Sequence, residues 1–191
     1  MSIVRVFTNV TLDGVMQGPG RPDEDRRGGF EHGGWGGHYN AMAEAGEAMA
    51  NLRALLLGRR TYENFYAVWP KRTESPYSAA LDNMQKYVAS NTLSEPLEWR
   101  NSTLLKGDAA EAVARLKEQP GGDLVIMGSG ELARSLMRRH LVDEYVLLIH
   151  PLALGTGQRL FADGASFPLR LVGSKTTNTG VVIATYQPVA S

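Results

Sequence analysis

The chain reads as an α/β protein with a mostly parallel mixed sheet and an antiparallel C-terminal edge. Three observations predict this. Short continuous apolar runs alternate with amphipathic segments through the middle of the chain, the pattern of buried parallel strands joined by helices. Two of those runs, Leu55-Leu56-Leu57-Gly58 and Leu124-Val125-Ile126-Met127-Gly128, stop at glycine and pass at once into a helix start. Near the C-terminus two strand-like segments are separated only by turn residues, which suits antiparallel pairing.

Residues 3–12 are rich in β-branched side chains and predict a strand, with Asp13-Gly14 as the turn that follows. Residues 17–37 are crowded with glycine, from Gly18 and Gly20 to Gly36 and Gly37, and hold Pro19 and Pro22, so no regular element is expected there. Loops of this length are functional or disordered. Phe30, His32 and Trp35 give this one something to pack with, which favours a lid or pocket wall. In residues 38–51, Met42, Ala45 and Met49, followed by Leu52, recur at helical spacing and predict an amphipathic helix, with Glu44 and Glu47 off the apolar stripe. Residues 55–57 predict the first interior strand, residues 61–66 a short helix closed by Trp69-Pro70, and residues 76–85 another helix. Residues 87–89 and 103–105 predict short strands. Asp108 opens a helix, with Glu111 in capping-box spacing and Arg115 one turn beyond Glu111. After Gly121-Gly122 comes the second interior strand, 124–127. Leu132 and Leu136 mark a helix that ends near His140. Residues 145–149 form a fifth apolar strand. Residues 169–174 and 181–186 form the last pair, joined around Asn178-Thr179-Gly180. No change of composition marks a boundary, so a single domain over residues 1–191 is expected.

The totals exclude several classes. The chain has 191 residues, with 20 Lys plus Arg against 20 Asp plus Glu. Nucleic-acid binders carry a basic excess, so this balance argues against one. Local basic pairs remain at Arg26-Arg27, Arg59-Arg60 and Arg138-Arg139. There is no cysteine, which rules out disulfides, thiolate metal sites and a cysteine nucleophile. No apolar stretch approaches the roughly 18 residues of a membrane span. The N-terminus enters a strand without a signal-peptide layout, so a cytoplasmic location is expected. None of the four histidines shows metal spacing and no G-x-S-x-G elbow appears, so neither a metal centre nor a serine hydrolase is expected.

Gly58-Arg59-Arg60-Thr61 is the most informative segment. The first N–H groups of a helix lack intrahelical partners and the helix dipole favours negative charge there, so a strand that ends in glycine and feeds a helix suits a phosphate. Arg59 and Arg60 suit charge-assisted bonds to phosphate oxygens, and Thr61 offers a cap or a hydroxyl. The same residues equally describe a glycine turn with two solvated arginines. Gly128-Ser129-Gly130, followed by Glu131 and Leu132, lacks the full Rossmann spacing and is by itself an ordinary tight turn. Were the two strands parallel neighbours, both helix starts would share one sheet edge, where open α/β sheets bind ligands. Ser90-Asn91-Thr92 follows another strand and would lie at that edge, suited to a phosphate, a ribose or a plain turn.

These motifs together are similar to the dihydrofolate reductase superfamily. Gly58-Arg59-Arg60-Thr61-Tyr62-Glu63 resembles its G-R-x-T-x-E segment. Thr11-Leu12-Asp13-Gly14 resembles a recurrent S/T-L-D-G motif. Residues 87–93 resemble its strand and polar turn, and Gly128-Ser129-Gly130-Glu131-Leu132 its second glycine turn. Asp143-Glu144-Tyr145, His150-Pro151 and residues 155–161 resemble the ending of the reductase domain of the bifunctional riboflavin-biosynthesis deaminase-reductase and its stand-alone relatives. The resemblance implies a three-layer α/β/α dihydrofolate-reductase-like fold and NADPH as hydride donor. It implies that Arg59, Arg60, Ser90 and Asn91, with Gly58, Thr61 and Thr92 beside them, face the 2′-phosphate side of the cofactor. Gly128, Ser129, Gly130, Glu131 and Leu132 would then wrap the pyrophosphate. Asp13 and Gly14 would lie by the nicotinamide and substrate, and Trp35 at the active-site tryptophan position. Asp13 and Glu44 are the candidate proton donors besides water, and Gln158 and Arg159 the candidate substrate contacts. Val15 stands where riboflavin-pathway reductases carry a basic residue, and the G-x-x-T-V…D-P-x-L pattern of those enzymes is replaced here.

The resulting expectation is an NADPH-dependent oxidoreductase acting on a small heterocyclic or carbonyl substrate. The alternatives are the riboflavin-pathway 5-amino-6-(5-phosphoribosylamino)uracil reductase and, of another class, a nucleotide-binding module without turnover. A homodimer is expected, since related reductase domains commonly pair.

Overall fold

The computed structural model describes residues 1–46, 52–74 and 76–189. It shows eight strands, mostly parallel, with an antiparallel C-terminal edge and helices around them, as the sequence predicts. The chain divides into two compact units, Met1–Val4 with Asn51–Leu141, and Arg5–Ala50 with Val142–Ser191.

In the first unit, β2 (Leu52–Gly58), β3 (Gln85–Ala89), β4 (Ser102–Leu105) and β5 (Asp123–Met127) lie in the order β4-β3-β2-β5, every pair parallel. Leu55, Leu56, Leu57, Leu124, Val125 and Ile126 are all wholly buried, which is why these strands read as unbroken apolar runs. The helices are α2 (Arg59–Val68), α3 (Pro76–Asn83), α4 (Ala109–Glu118) and α5 (Gly130–Arg138). Asp108 caps α4 as expected, accepting from the N–H groups of Ala110 at 2.8 Å and Glu111 at 3.3 Å. Its other carboxylate oxygen takes Arg139 at 3.1 Å. α2 begins at Arg59, two residues earlier than expected, so Thr61 lies inside the helix and leaves its hydroxyl for another use.

Lys86 is wholly buried on β3. Its ammonium donates to the carbonyls of Leu81 at 2.9 Å, Asp82 at 3.2 Å and Met84 at 2.7 Å. These groups belong to the end of α3, where helix carbonyls lack partners and positive charge is favoured. The Trp99 ring lies 4.3 Å from the ammonium. Burial pulls the Lys86 pKa down to about 8, which leaves it charged at neutral pH.

In the second unit, β1 (Val4–Thr11) pairs parallel with β6 (Glu144–His150), and Thr11 stands opposite His150. β8 (Val182–Pro188) runs antiparallel to β6 and to β7 (Leu169–Thr176). The β7–β8 turn forms around Gly180 as expected, with Val181 N–H on the Thr177 hydroxyl at 3.0 Å. Within residues 38–46 the expected helix is interrupted by Asn40 in the left-handed region (φ 46°), and only α1 (Ala41–Glu44) is α-helical. Ala41 in α1 and Ala45 just after it are buried, Met42 is half-buried, and Leu52 already belongs to β2. Residues 47–51, with Met49 and Glu47, lie outside the described residues.

The glycine-rich segment folds back on itself. Gly34 N–H donates to Gly18 O at 2.7 Å and Gly36 N–H to Pro19 O at 2.9 Å. A side chain at Gly33 would stand 2.4 Å from the Pro22 carbonyl oxygen, so only glycine admits this approach. Val15, Phe30 and Trp35 bury together against Leu152 and Leu154 and give the segment its own small core.

Replacing Lys86 by Met strands three helix-end carbonyls. Lys86→Met is expected to lower stability by on the order of 2–4 kcal/mol in urea unfolding.

Candidate functional site

In the first unit three strand ends share one edge, because β3, β2 and β5 are parallel neighbours. β2 ends at Gly58 and runs directly into α2, whose first turn has no side-chain cap and no acidic residue. β5 ends at Met127. Gly128 (φ 56°) and Ser129 (φ 50°) then turn the chain into α5, whose start also lacks a side-chain cap.

The two turns are joined to one another. Ser129 Oγ accepts from Gly58 N–H at 3.0 Å and donates to the Met127 carbonyl at 3.0 Å. Ser129 N–H donates to Thr61 Oγ1 at 3.1 Å. Gly128 packs tightly, since a side chain there would lie 3.3 Å from Thr61 Cγ2. Gly58 does not: its backbone is ordinary extended (φ −77°), and a Cβ there would meet Ser129 only at 3.8 Å. The fold therefore does not itself require glycine at 58, whereas a ligand approaching the backbone does. Two helix starts with unpartnered N–H groups, fixed side by side, suit the linked phosphates of a dinucleotide.

The flanking residues divide by how their polar atoms are used. Ser90 Oγ accepts from the N–H groups of Thr92 and Leu93, each at 3.1 Å, and Asn91 Oδ1 accepts from Gly107 N–H at 2.8 Å. They shape the turn after β3 and retain only hydroxyl and amide donors. Arg59 pairs with Glu63 at 3.1 Å. Arg60 is exposed and has no ionic partner among the described residues. Glu131 points outward to Arg134 at 2.7 Å, and Leu132 is buried, so both offer the edge only their backbone.

In the second unit, Asp13 receives the Thr11 hydroxyl at 2.5 Å, Gly155 N–H at 2.7 Å and Leu154 N–H at 3.2 Å. The Thr11 hydroxyl first, then the Gly155 N–H, holds its pKa at about 2. Asp13 is thus a fixed carboxylate that ties the 11–14 turn to the 152–155 loop. Arg159 reaches the same turn, with Nε 3.0 Å from the Asp13 carbonyl, and Leu160 N–H meets Gly14 O at 3.0 Å. Gln158 joins through Gln17, whose Oε1 accepts from Gln158 N–H at 2.9 Å. Trp35 is buried, its indole N–H on the Gln17 carbonyl at 2.7 Å. Asp13, Gly14, Trp35, Gln158 and Arg159 therefore belong to one connected network. Glu44, half-buried at the end of α1, makes no hydrogen bond or ion pair with any of them.

Gln17 and Asn9 are not singled out by the sequence, and His150 enters there only through the His150-Pro151 motif. Gln17, buried, donates to Asp25 Oδ1 at 3.2 Å and to the Arg27 carbonyl at 3.0 Å while accepting from Gln158. His150 is wholly buried, with Nε2 2.9 Å from Asn9 Oδ1. Trp35 and Tyr39 meet its ring edge to face at 5.1 Å and 4.9 Å. Burial pulls the His150 pKa down to about 4. The His150-Pro151 motif closing an apolar strand, and an asparagine inside a β-branched one, are the signals that point to this pair.

The backbone is that of the dihydrofolate-reductase-like fold. A candidate riboflavin biosynthesis protein from Shewanella sp. PV-4 superposes with a TM-score of 0.67 at 23% identity, covering 98% of this chain and 99% of its own. A dihydrofolate reductase from Enterococcus faecalis, complexed with NADP(H) and RAB-propyl, superposes with a TM-score of 0.65 at 14% identity, covering 98% and 97%. The model of the RibD C-terminal domain matches residues 2–183, and the chain belongs to that family. Its relatives include two uncharacterized proteins of Bacillus subtilis (strain 168). YyaP is 31% identical over 140 residues, 71% of this chain and 73% of its own, and YwjB 30% identical over 122 residues, 63% and 66%.

His150, Asp13 and Asp25, whose carboxyl Arg27 also holds below its ordinary value, set the acid profile. Unfolded His150 takes up a proton near pH 6.5 while the folded ring stays neutral until about pH 4, so its contribution to stability falls as pH drops through that window. Asp13 adds stability that is present above its ordinary value and lost as pH falls toward about 2. Thermal unfolding followed against pH should show these losses. His150→Gln should remove the upper one, a slope of at most about 1.4 kcal/mol per pH unit.

Proposed function

We propose that this chain is an NADPH-dependent reductase that delivers a hydride to a small planar substrate, heterocyclic or carbonyl-bearing. The observation that carries the reading is the joined pair of uncapped helix starts at Gly58 and Gly130. Family membership supports a reductase, and its match over nearly the whole chain supports a single reductase domain.

The residues present fit the cofactor. The N–H groups at the starts of α2 and α5 would receive its phosphates, with Gly58 leaving room, Gly128 making the turn, and Ser129 and Thr61 holding the two turns at a fixed distance. Arg60 is the cation best placed to select a 2′-phosphate, because Arg59 is already neutralised by Glu63. Ser90, Asn91 and Thr92 would add hydroxyl and amide donors at that end. NADPH, when bound, supplies the hydride. The chain contributes binding, orientation and exclusion of water.

Asp13, Gly14, Trp35, Gln158 and Arg159 are read as the substrate-side network. A carboxylate whose pKa is near 2 is a poor acid at neutral pH, so Asp13 orients the loop and the proton comes from water. Glu44 stands apart from the network and is the weaker candidate. Val15 is wholly buried and bridges to Arg159, so this position offers no charge to a phosphoribosyl group. That favours a substrate other than the riboflavin-pathway nucleotide.

Titration with NADPH and NADH, followed by tryptophan quenching, tests the reading. Tight NADPH binding and weaker NADH binding are expected. Arg60→Ala should weaken NADPH about tenfold, some 1.4 kcal/mol, with NADH unchanged, and Arg59→Ala should do less. Failure to bind either nucleotide would remove the reductase assignment.

A further inference from the structure

The His150–Asn9 pair has a determined polarity. In the neutral imidazole one nitrogen carries the proton. His150 Nδ1 is buried without a partner, whereas Nε2 lies 2.9 Å from Asn9 Oδ1. Were Nδ1 protonated, a buried N–H would be orphaned, and such donors are rarer in folded proteins than under-satisfied acceptors. The proton therefore sits on Nε2 and is donated to Asn9 Oδ1. Trp35 and Tyr39 hold the ring edge to face on either contact, and neither reaches Nδ1 with a donor, since the Trp35 N–H is already on Gln17.

This polarity fixes Asn9. Its oxygen faces His150, so its amide NH2 is what it presents elsewhere. Asn9 is half-buried, and among the described residues no acceptor meets that NH2. It lies two residues before Thr11, whose hydroxyl begins the Asp13 network, and Thr11 stands opposite His150 in the sheet.

We propose that Asn9 is a specificity-determining residue that donates to a carbonyl oxygen or ring-nitrogen acceptor of a planar ligand, and that His150 is the positioning residue that sets its amide. This deepens the reductase reading and rests on it. The acceptor has two sources of the same chemistry, a substrate carbonyl or the nicotinamide carboxamide.

The test uses the full chain. Asn9→Asp keeps an oxygen for His150 and replaces the donor by a carboxylate. Binding is measured for NADPH, for 2′-phospho-ADP-ribose, which lacks the nicotinamide, and for 6-aminouracil in the presence of NADPH. A loss of tenfold or more for 6-aminouracil alone supports the substrate carbonyl. A loss for NADPH but not for 2′-phospho-ADP-ribose supports the carboxamide. A folded variant that binds all three as the wild type does overturns the proposal while leaving the reductase reading intact. Wild-type protein that binds no nucleotide overturns both. His150→Gln, which places an N–H where Nε2 was, should stay within about threefold of wild type. His150→Leu should lose about as much as Asn9→Asp, and equal behaviour of Gln and Leu contradicts the positioning role. Independently of any variant, ¹⁵N NMR at neutral pH should show His150 protonated at Nε2 and bare at Nδ1, and the opposite tautomer overturns the proposal.

Discussion

Ser129 receives Gly58 N–H on its hydroxyl and gives its own N–H to Thr61, and those two bonds couple the ends of neighbouring parallel strands. The proposed cofactor edge depends on this coupling. A single helix start attracts an anion weakly and without geometry. Two starts locked together define a distance as well as a charge, which is what linked phosphates require. The wholly buried leucines of β2 and the Leu124–Ile126 run of β5 make the lock rigid, because neither strand can slide without exposing its apolar run. Stability and the proposed binding thus draw on the same residues: the core sets the register, and the register places the turns.

The second unit solves a different problem. A segment as rich in glycine as residues 17–37 has a high conformational entropy to lose. Gln17 offsets it by bonding to Asp25, Arg27 and Gln158, with its backbone holding Trp35. Phe30 and Trp35 then bury against Val15. His150 beneath Trp35 and Tyr39 is wholly buried, which favours its neutral form, and the fixed carboxylate of Asp13 ties the adjoining loops. The network holds ionised and neutral polar groups in set orientations without an obvious general acid. That is consistent with chemistry in which a cofactor delivers the hydride and the protein chiefly orients.

Much of this was legible in the sequence. Continuous apolar runs announced the parallel strands, Asp108 announced α4, and glycines at 58 and 128 announced the paired turns. The signals that failed were those decided by distant contacts. Thr61 was readable as a cap or as a hydroxyl, and only the proximity of Ser129 decides for the hydroxyl. Met42 and Ala45 suggested an unbroken helix, yet Asn40 turns left-handed before α1 and α1 ends at Glu44. Gln17 and Asn9 carry no local motif, and the His150-Pro151 motif says nothing of the partner of His150. Their meaning lies in partners more than a hundred residues away for two of the four bonds that define them.

The central claim is that glycine at position 58 serves the ligand and not the fold. Calorimetric titration of Gly58→Ala with NADPH, set beside its thermal unfolding, tests it most directly. The account predicts a melting temperature within about 2 °C of wild type, since the backbone there is ordinary and a Cβ has room, together with at least a tenfold loss of NADPH affinity. Unchanged affinity in a stable variant would contradict it.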